Sequence, residues 1–286
     1  MNKELISANV KDKVFKVFAI TCTGMALLTL LILIIDILIK GLSRVNWSFF
    51  INLPSRHPEQ SGIYTALAGM VSLLFITLII ALPIGILSGI YLQEYGNRNK
   101  LAKFIEINIS NLAGVPSVIY GILGLELFVR MAGFGNSILS GALTLALLIM
   151  PVIIVSTREA IKAVPNTMRE AAFGLGATKL QTIWRVVLPA SFGGILTGVI
   201  LSISRAIGET APLIVVGALA YVPFIPEGPM DQYTSLPIQI FNWTSRPQQG
   251  FIDNAAAGII VLLVFTFLLN GIAVVLRNRW YRKTTA

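Results

Sequence analysis

An all-α membrane protein with six transmembrane helices is the fold class this sequence predicts. Three observations point there. Of 286 residues, 55% are hydrophobic and only 12% charged, whereas soluble globular domains carry roughly 25% charge; the mean hydropathy is +0.80. Six apolar runs, 17–39, 63–92, 105–128, 137–155, 195–216 and 255–276, are near the ~20 residues a bilayer core requires. Lysine and arginine, finally, collect on alternate segments between those runs.

The first run reads as a retained span. It is long for a secretion-signal core, carries Asp36, and is followed by no small-x-small cleavage pattern. The second exceeds one crossing, which implies a tilt or a kink near Pro83. In the third, Pro116 signals a local break. With these spans, one side collects sixteen basic residues: Lys3, Lys11, Lys13, Lys16, Arg98, Lys100, Lys103, Arg158, Lys162, Arg169, Lys179, Arg185, Arg277, Arg279, Arg282 and Lys283. The other side collects five: Lys40, Arg44, Arg56, Arg130 and Arg246. The positive-inside rule then places both termini and the 156–190 loop in the cytoplasm. The chain divides into an N-terminal tail (1–16), a first span (17–39), a core (63–276) and a basic tail (277–286). The net charge of +9 is a topology device, and a nucleic-acid role is set aside.

Catalytic chemistry finds little material. Cys22 is the single cysteine and His57 the single histidine, so an intrachain disulfide, a Cys-based metal site, a His-x3-His zinc site and a membrane-core Ser-His dyad are not expected. No metal site is predicted. The polar external segments are 41–62 and 218–254. The second holds Pro223, Pro226, Pro229, Pro237 and Pro247 and reads as irregular, with one short helix around 238–243. Tyr233 and Trp243 in it suit either a lipid-headgroup anchor or contact with an external protein.

The 156–190 loop carries two amphipathic segments. Pro165 and Asn166 start the first, whose stripe is Met168, Ala171, Ala172 and Leu175. Gly174 and Gly176 permit a sharp turn, with Gly176 a left-handed cap. Thr178-x-x-Gln181 has the form of a capping box. Leu180, Ile183, Trp184, Val187 and Leu188 make the second stripe, and Pro189 marks where that helix must stop or bend. Such stripes suit a partner protein or a bilayer surface. Here a resemblance enters: Glu170-Ala171-Ala172, Gly176 six residues after the Glu, and Leu188-Pro189 resemble the EAA loop of ABC-importer permeases. One position usually Ile is Val186. The resemblance implies a type I importer permease fold. It also implies a coupling role for Glu170, Ala171, Ala172, Gly174, Gly176, Leu188 and Pro189 on an ATP-binding subunit. No Gly-x4-Gly-Lys-Ser/Thr loop exists in this chain, so no cofactor is expected on it, and ATP and Mg would sit on the partner.

The fifth run carries Arg205 and Glu209 within S-I-S-R-A-I-G-E-T-A-P-L. Each costs roughly 2.5–3.5 kcal/mol at a helix centre. At i and i+4 they share a face. Two readings stand: a structural ion pair, or an anion site on a path, with Gly208 and Pro212 letting the backbone approach or bend. Ser202, Asn111 and Ser117 are further polar candidates for that path, with Pro116 and Tyr120 near; interhelical hydrogen bonding explains them equally. Asp36 suits structure, and Glu126 with Arg130 suits a rim pair.

A second resemblance is carried by R-A-I-G-E-T-A-P-L (205–213), A-G-V-P-S-V-I-Y-G-I-L-G-L (113–125) and L-P-I-Q-I-F-N-W (236–243). These are similar to the phosphate-importer permeases, and to their PstA branch more than to PstC. That implies a multi-pass subunit of a bacterial inner membrane forming half of a path for inorganic phosphate. Its partners would be a homologous PstC-like permease, two PstB-like ATP-binding subunits, a PstS-like extracytoplasmic phosphate-binding protein, and membrane lipid. It also implicates Arg205 and Glu209 in passage of the cargo. Alternatives are the same importer class with another oxyanion, phosphonate or amino-acid cargo, and, from another class, a secondary transporter or an intramembrane enzyme.

Overall fold

A computed structural model describes residues 2–96, 100–219 and 221–284, with side chains over 12–279 of these. Arg98 of the basic count lies outside the described residues, as do the side chains of Lys3, Lys11, Arg282 and Lys283. Twelve α-helices run in order through the described residues, with two π-helical segments among them and no strand. Five helical stretches are long and apolar enough to cross a bilayer, and a bent pair makes a sixth.

The first long helix, α1 (Asn2–Gly41), begins within the segment expected to be a tail. It is exposed along its whole apolar window. It meets the last helix, α12 (Gln249–Thr284), where Gly41 lies against the backbone of Ala256 and Ala257. Asp36 is paired within α1, with Lys40 at 2.7 Å. The short α2 (Trp47–Ile51) follows, its N-terminus capped by Asn46.

The centre is built by α3 (Tyr64–Glu94), α6 (Ile138–Lys162) and α9 (Leu188–Gly208). The first two run parallel: Gly85 faces Ile153, and Gly89 faces Thr157. Against α9 the register is antiparallel, with Gly194 on Ala160 and Gly198 on Ser156. Small residues let these backbones approach where no hydrophobic effect drives association in lipid. A side chain at Gly198 would collide with Ser156. Polar ties hold α12 to α9: Ser204 donates to Asn270 at 2.7 Å, and Arg277 to Thr197 at 3.2 Å. The main apolar core joins Met70, Ile149, Ile153, Ala206, Ile207 and Trp243, among others.

The third and fifth runs are not single helices. The third divides into α4 (Lys100–Leu112) and α5 (Ser117–Gly124). The latter continues as a π-helical segment Leu125–Met131, and the two halves are bent by 109°. Pro116 disfavours helical backbone at Val115, as its presence foretold. The fifth run ends at Gly208: Glu209 is extended (φ −73°, ψ 126°), and a short α10 (Ala211–Val216) follows, closed by Gly217 at φ +98°.

Two further expectations are corrected. Pro189 does not end its helix: α8 (Lys179–Thr182), a π-helical turn Ile183–Val187 and α9 follow without a gap, with Pro189 in the first turn of α9. The widened turn directly before the proline accommodates its ring and missing N–H. Tyr233 and Trp243 are neither headgroup anchors nor exposed contacts; they are 1% and 0% exposed. The helix α11 (Leu236–Thr244), close to the expected 238–243, tucks into the bundle, and the Trp243 ring lies tilted at 36° to that of Phe49, 5.9 Å between centres. The second run, by contrast, passes Pro83 as one helix.

Candidate functional site

Arg205 occupies the last turn of α9 and Glu209 its C-cap. Their side chains pair, Nε to Oε1, at 3.2 Å, although Glu209 has left helical geometry. Arg205 is 34% and Glu209 15% exposed, so the pair is sheltered without being sealed. The register of α9 on α6 puts Arg205 level with the middle of α6, far from either end of the bundle. An arginine has five N–H donors, and the bond to Glu209 takes one of them. Gly208 beside it faces open space.

Two broken helices meet around this pair. Gly121 of α5 lies against Pro212 and Val215 of α10, and Gly124 against Thr144 of α6; a side chain at either would force them apart. Tyr120, buried, lies within electrostatic reach of Arg205. Its hydroxyl donates to the Leu112 carbonyl at 2.8 Å, satisfying a backbone acceptor left over where α4 ends.

The other polar candidates divide. Asn111 and Ser117 flank the break between α4 and α5, Asn111 exposed and Ser117 half-buried. Ser202 is 0% exposed and donates to the Gly198 carbonyl of its own helix at 2.9 Å. It is turned away from open space. Glu126 and Arg130 form an exposed pair at 3.0 Å, as a rim pair should.

The loop element is helix–turn–helix. Its first arm, α7 (Asn166–Gly174), starts after Pro165. Gly176 takes φ +81°, where a side chain would be strained. The capping box forms in full: the Thr178 N–H donates to Gln181 at 2.9 Å, and the Gln181 N–H to Thr178 at 3.3 Å. The second stripe is shared between two surfaces. Ile183 and Val187, 2% and 0% exposed, pack with Ile90, Ile161, Val164, Ile195 and Val199, while Leu180 and Trp184 stay exposed. Of the first stripe only Ala172 is buried; Met168 is exposed and Leu175 is 90% exposed. Met168, Ala171, Ala172, Leu175, Gly176 and Gln181 line an open groove of about 560 Å³. Glu170 is exposed, Gly174 faces open space, and Leu188 is half-buried.

Sequence reading missed Glu94, which pairs with Arg169 at 3.1 Å. No local spacing reveals a partner 75 residues away. Among the described residues no cluster of His, Cys, Asp or Glu suits a metal ion.

The family model described as "Binding-protein-dependent transport system inner membrane component" matches residues 81–282. A "Probable ABC transporter permease protein YqgI" of Bacillus subtilis (strain 168) is 32% identical over 87% of this chain and 89% of its own. A "Phosphate transport system permease protein PstA" of Mycobacterium leprae (strain TN) is 34% identical over 90% and 86%. One from Pasteurella multocida (strain Pm70) is 31% identical over 91% and 92%. A chain of the MetNI methionine ABC transporter, in an inward facing conformation, superposes with a TM-score of 0.59 at 16% identity, covering 77% of this chain and 94% of that one. At that identity the likeness speaks for the fold alone.

Proposed function

This chain belongs to the binding-protein-dependent transport system inner membrane components, a family of multi-pass permeases, and we propose that it forms half of an ATP-driven path for inorganic phosphate in a bacterial inner membrane. The cargo is that of the PstA relatives. The observation that carries the reading is the Arg205–Glu209 pair, charged, partly open and midway along the bundle, where two broken helices meet.

Arg205 is the fixed cation. Its planar guanidinium suits phosphate oxygens, and the donors its bond to Glu209 leaves over would receive them. Glu209, acceptor-only when ionised, takes the P–O–H proton of hydrogen phosphate in a hydrogen bond. It repels a dianion without a proton, such as sulfate. Positions 209–210, outside regular helix, let this happen without breaking a helical ladder, since irregular backbone at membrane depth is tolerated where it lines a cavity.

The 165–189 element supplies the drive. Its exposed stripe and groove dock on an ATP-binding subunit, whose closure around ATP and Mg pulls the element and opens the path outward; release of ADP reverses the movement. A second, homologous permease supplies the other half of the path, and an extracytoplasmic binding protein delivers phosphate. The excess of basic residues on 3–16, 98–103, 156–190 and 277–286 supports a cytoplasmic position for this element and both termini.

The test is ATP-driven uptake by the complete complex in proteoliposomes, with phosphate, sulfate, phosphonate and amino acids in competition. Stimulation of ATP hydrolysis and uptake by phosphate alone is expected. Preference for one of the other cargoes would overturn the assignment and leave the permease class standing.

A further inference from the structure

We infer that Glu94 is the point where the docking element grips the membrane helices, a positioning residue that turns movement of the element into movement of α3. The inference rests on the reading of that element as the contact for the ATP-binding subunit.

Glu94 is the last residue of α3. Arg169, on the first arm of the element, donates to its carboxylate at 3.1 Å. The same guanidinium donates to the Ile161 carbonyl at 3.0 Å and the Val164 carbonyl at 2.6 Å, at the end of α6. Lys179 opens the second arm. It donates to the Glu94 backbone carbonyl and lies 4.1 Å from the centre of the Tyr95 ring. Both arms, on either side of the Gly176 turn, therefore converge on one residue, and Arg169 binds α6 into the same knot. Arg169 and Glu94 are 14% and 11% exposed, a sheltered setting in which a charge-assisted bond is stronger than on the surface.

Beside the pair lies a cavity of about 450 Å³, lined by Gln93, Glu94, Lys162, Asn166, Arg169 and Lys179. Close packing does not fill this side of the joint; the polar bonds span it. On the other side Ile90, Ile161, Ile183 and Val187 make an apolar contact, which is non-directional. Apolar contact holds the element on the bundle, and the Glu94 bonds fix its register against α3. Without Glu94 the element still docks, but it shifts into the cavity instead of carrying α3 with it.

The test uses the complete complex in proteoliposomes and two readouts. For Glu94→Gln, ATP hydrolysis persists, and phosphate moved per ATP falls about tenfold or more, the scale of a lost charged hydrogen bond. The second readout is the distance between nitroxide labels at Thr167 and Leu87, both exposed, in a Cys22→Ser background. It is expected to stay fixed with and without bound nucleotide in the wild type and to become nucleotide-dependent in Glu94→Gln. Wild-type values in both readouts would overturn the inference. If Glu94→Gln does not assemble, Arg169→Lys, which keeps the charge and loses the fork, serves in its place; it should fall between, and wild-type behaviour refutes the inference equally. If the wild-type complex hydrolyses ATP without moving phosphate, the cargo assignment fails, and the label distances still decide whether Glu94 is the grip.

Discussion

Leu175→Ser separates docking from folding. In this chain Leu175 is 90% exposed, so its truncation removes almost no buried contact, and the melting temperature should stay put. If the stripe is buried by a partner, full burial of a leucine side chain is worth about 1.5–3 kcal/mol. The association constant with the ATP-binding subunit should then fall roughly 10- to 150-fold. Ile183→Ala is the counterpart: Ile183 is 2% exposed within the apolar joint, and its loss should destabilise the chain by about 2–5 kcal/mol. The assay titrates labelled ATP-binding subunit onto the permease pair in nanodiscs, with a melting curve for each variant. Unchanged affinity for Leu175→Ser refutes the docking argument. A loss of vesicle affinity without loss of partner affinity would show that the stripe lies on lipid.

Two other outcomes follow from the membrane part. Glu209→Gln exchanges an acceptor-only carboxylate for a group that also donates; it should erase roughly 10- to 150-fold of the preference for phosphate over sulfate, the worth of one charged hydrogen bond. Competition uptake in the reconstituted complex measures it, and intact discrimination would show that the carboxylate does not select. Gly198→Ala should lower stability by about 1–3 kcal/mol through overpacking on Ser156. Ser156→Gly in the same chain should recover most of that in a thermal-shift double-mutant cycle, and strict additivity would contradict the contact.

Features set by local chemistry were legible in the sequence. The capping box Thr178/Gln181, the left-handed Gly176 and the i, i+4 pairing of Arg205 with Glu209 each depend on residues within one or two turns, and all three appear as read. Pro116 announced a break, but the 109° between its two halves depends on what α5 packs against, Thr144 and Pro212, which periodicity does not report. The end of α9 was legible in part: Gly208 and Pro212 mark a place where the backbone can bend, but that Glu209 is the residue to leave helical geometry depends on packing that hydropathy does not report. The continuity through Pro189 depends on a π-helical turn that no composition rule marks. Trp243 and Tyr233 were misplaced because a polar, proline-rich segment reads as surface, while α11 is held inside chiefly by α12, with Phe49 and the α3–α6 pair beside it. Glu94 could not be found at all: its partners lie on two later elements, and only the fold brings them to it.

The most direct measurement is phosphate uptake together with phosphate-stimulated ATP hydrolysis by the reconstituted complex carrying Arg205→Ala. In the proposed reading the ATP-binding subunit docks on the 165–189 element, remote from Arg205, so the variant complex should assemble and hydrolyse ATP at its unstimulated rate. Loss of uptake by roughly 10- to 150-fold is expected, from the about 1.5–3 kcal/mol of a charged hydrogen bond to the cargo that the guanidinium no longer makes. Uptake and stimulation at wild-type levels would contradict the assignment of Arg205 as the cation on the phosphate path.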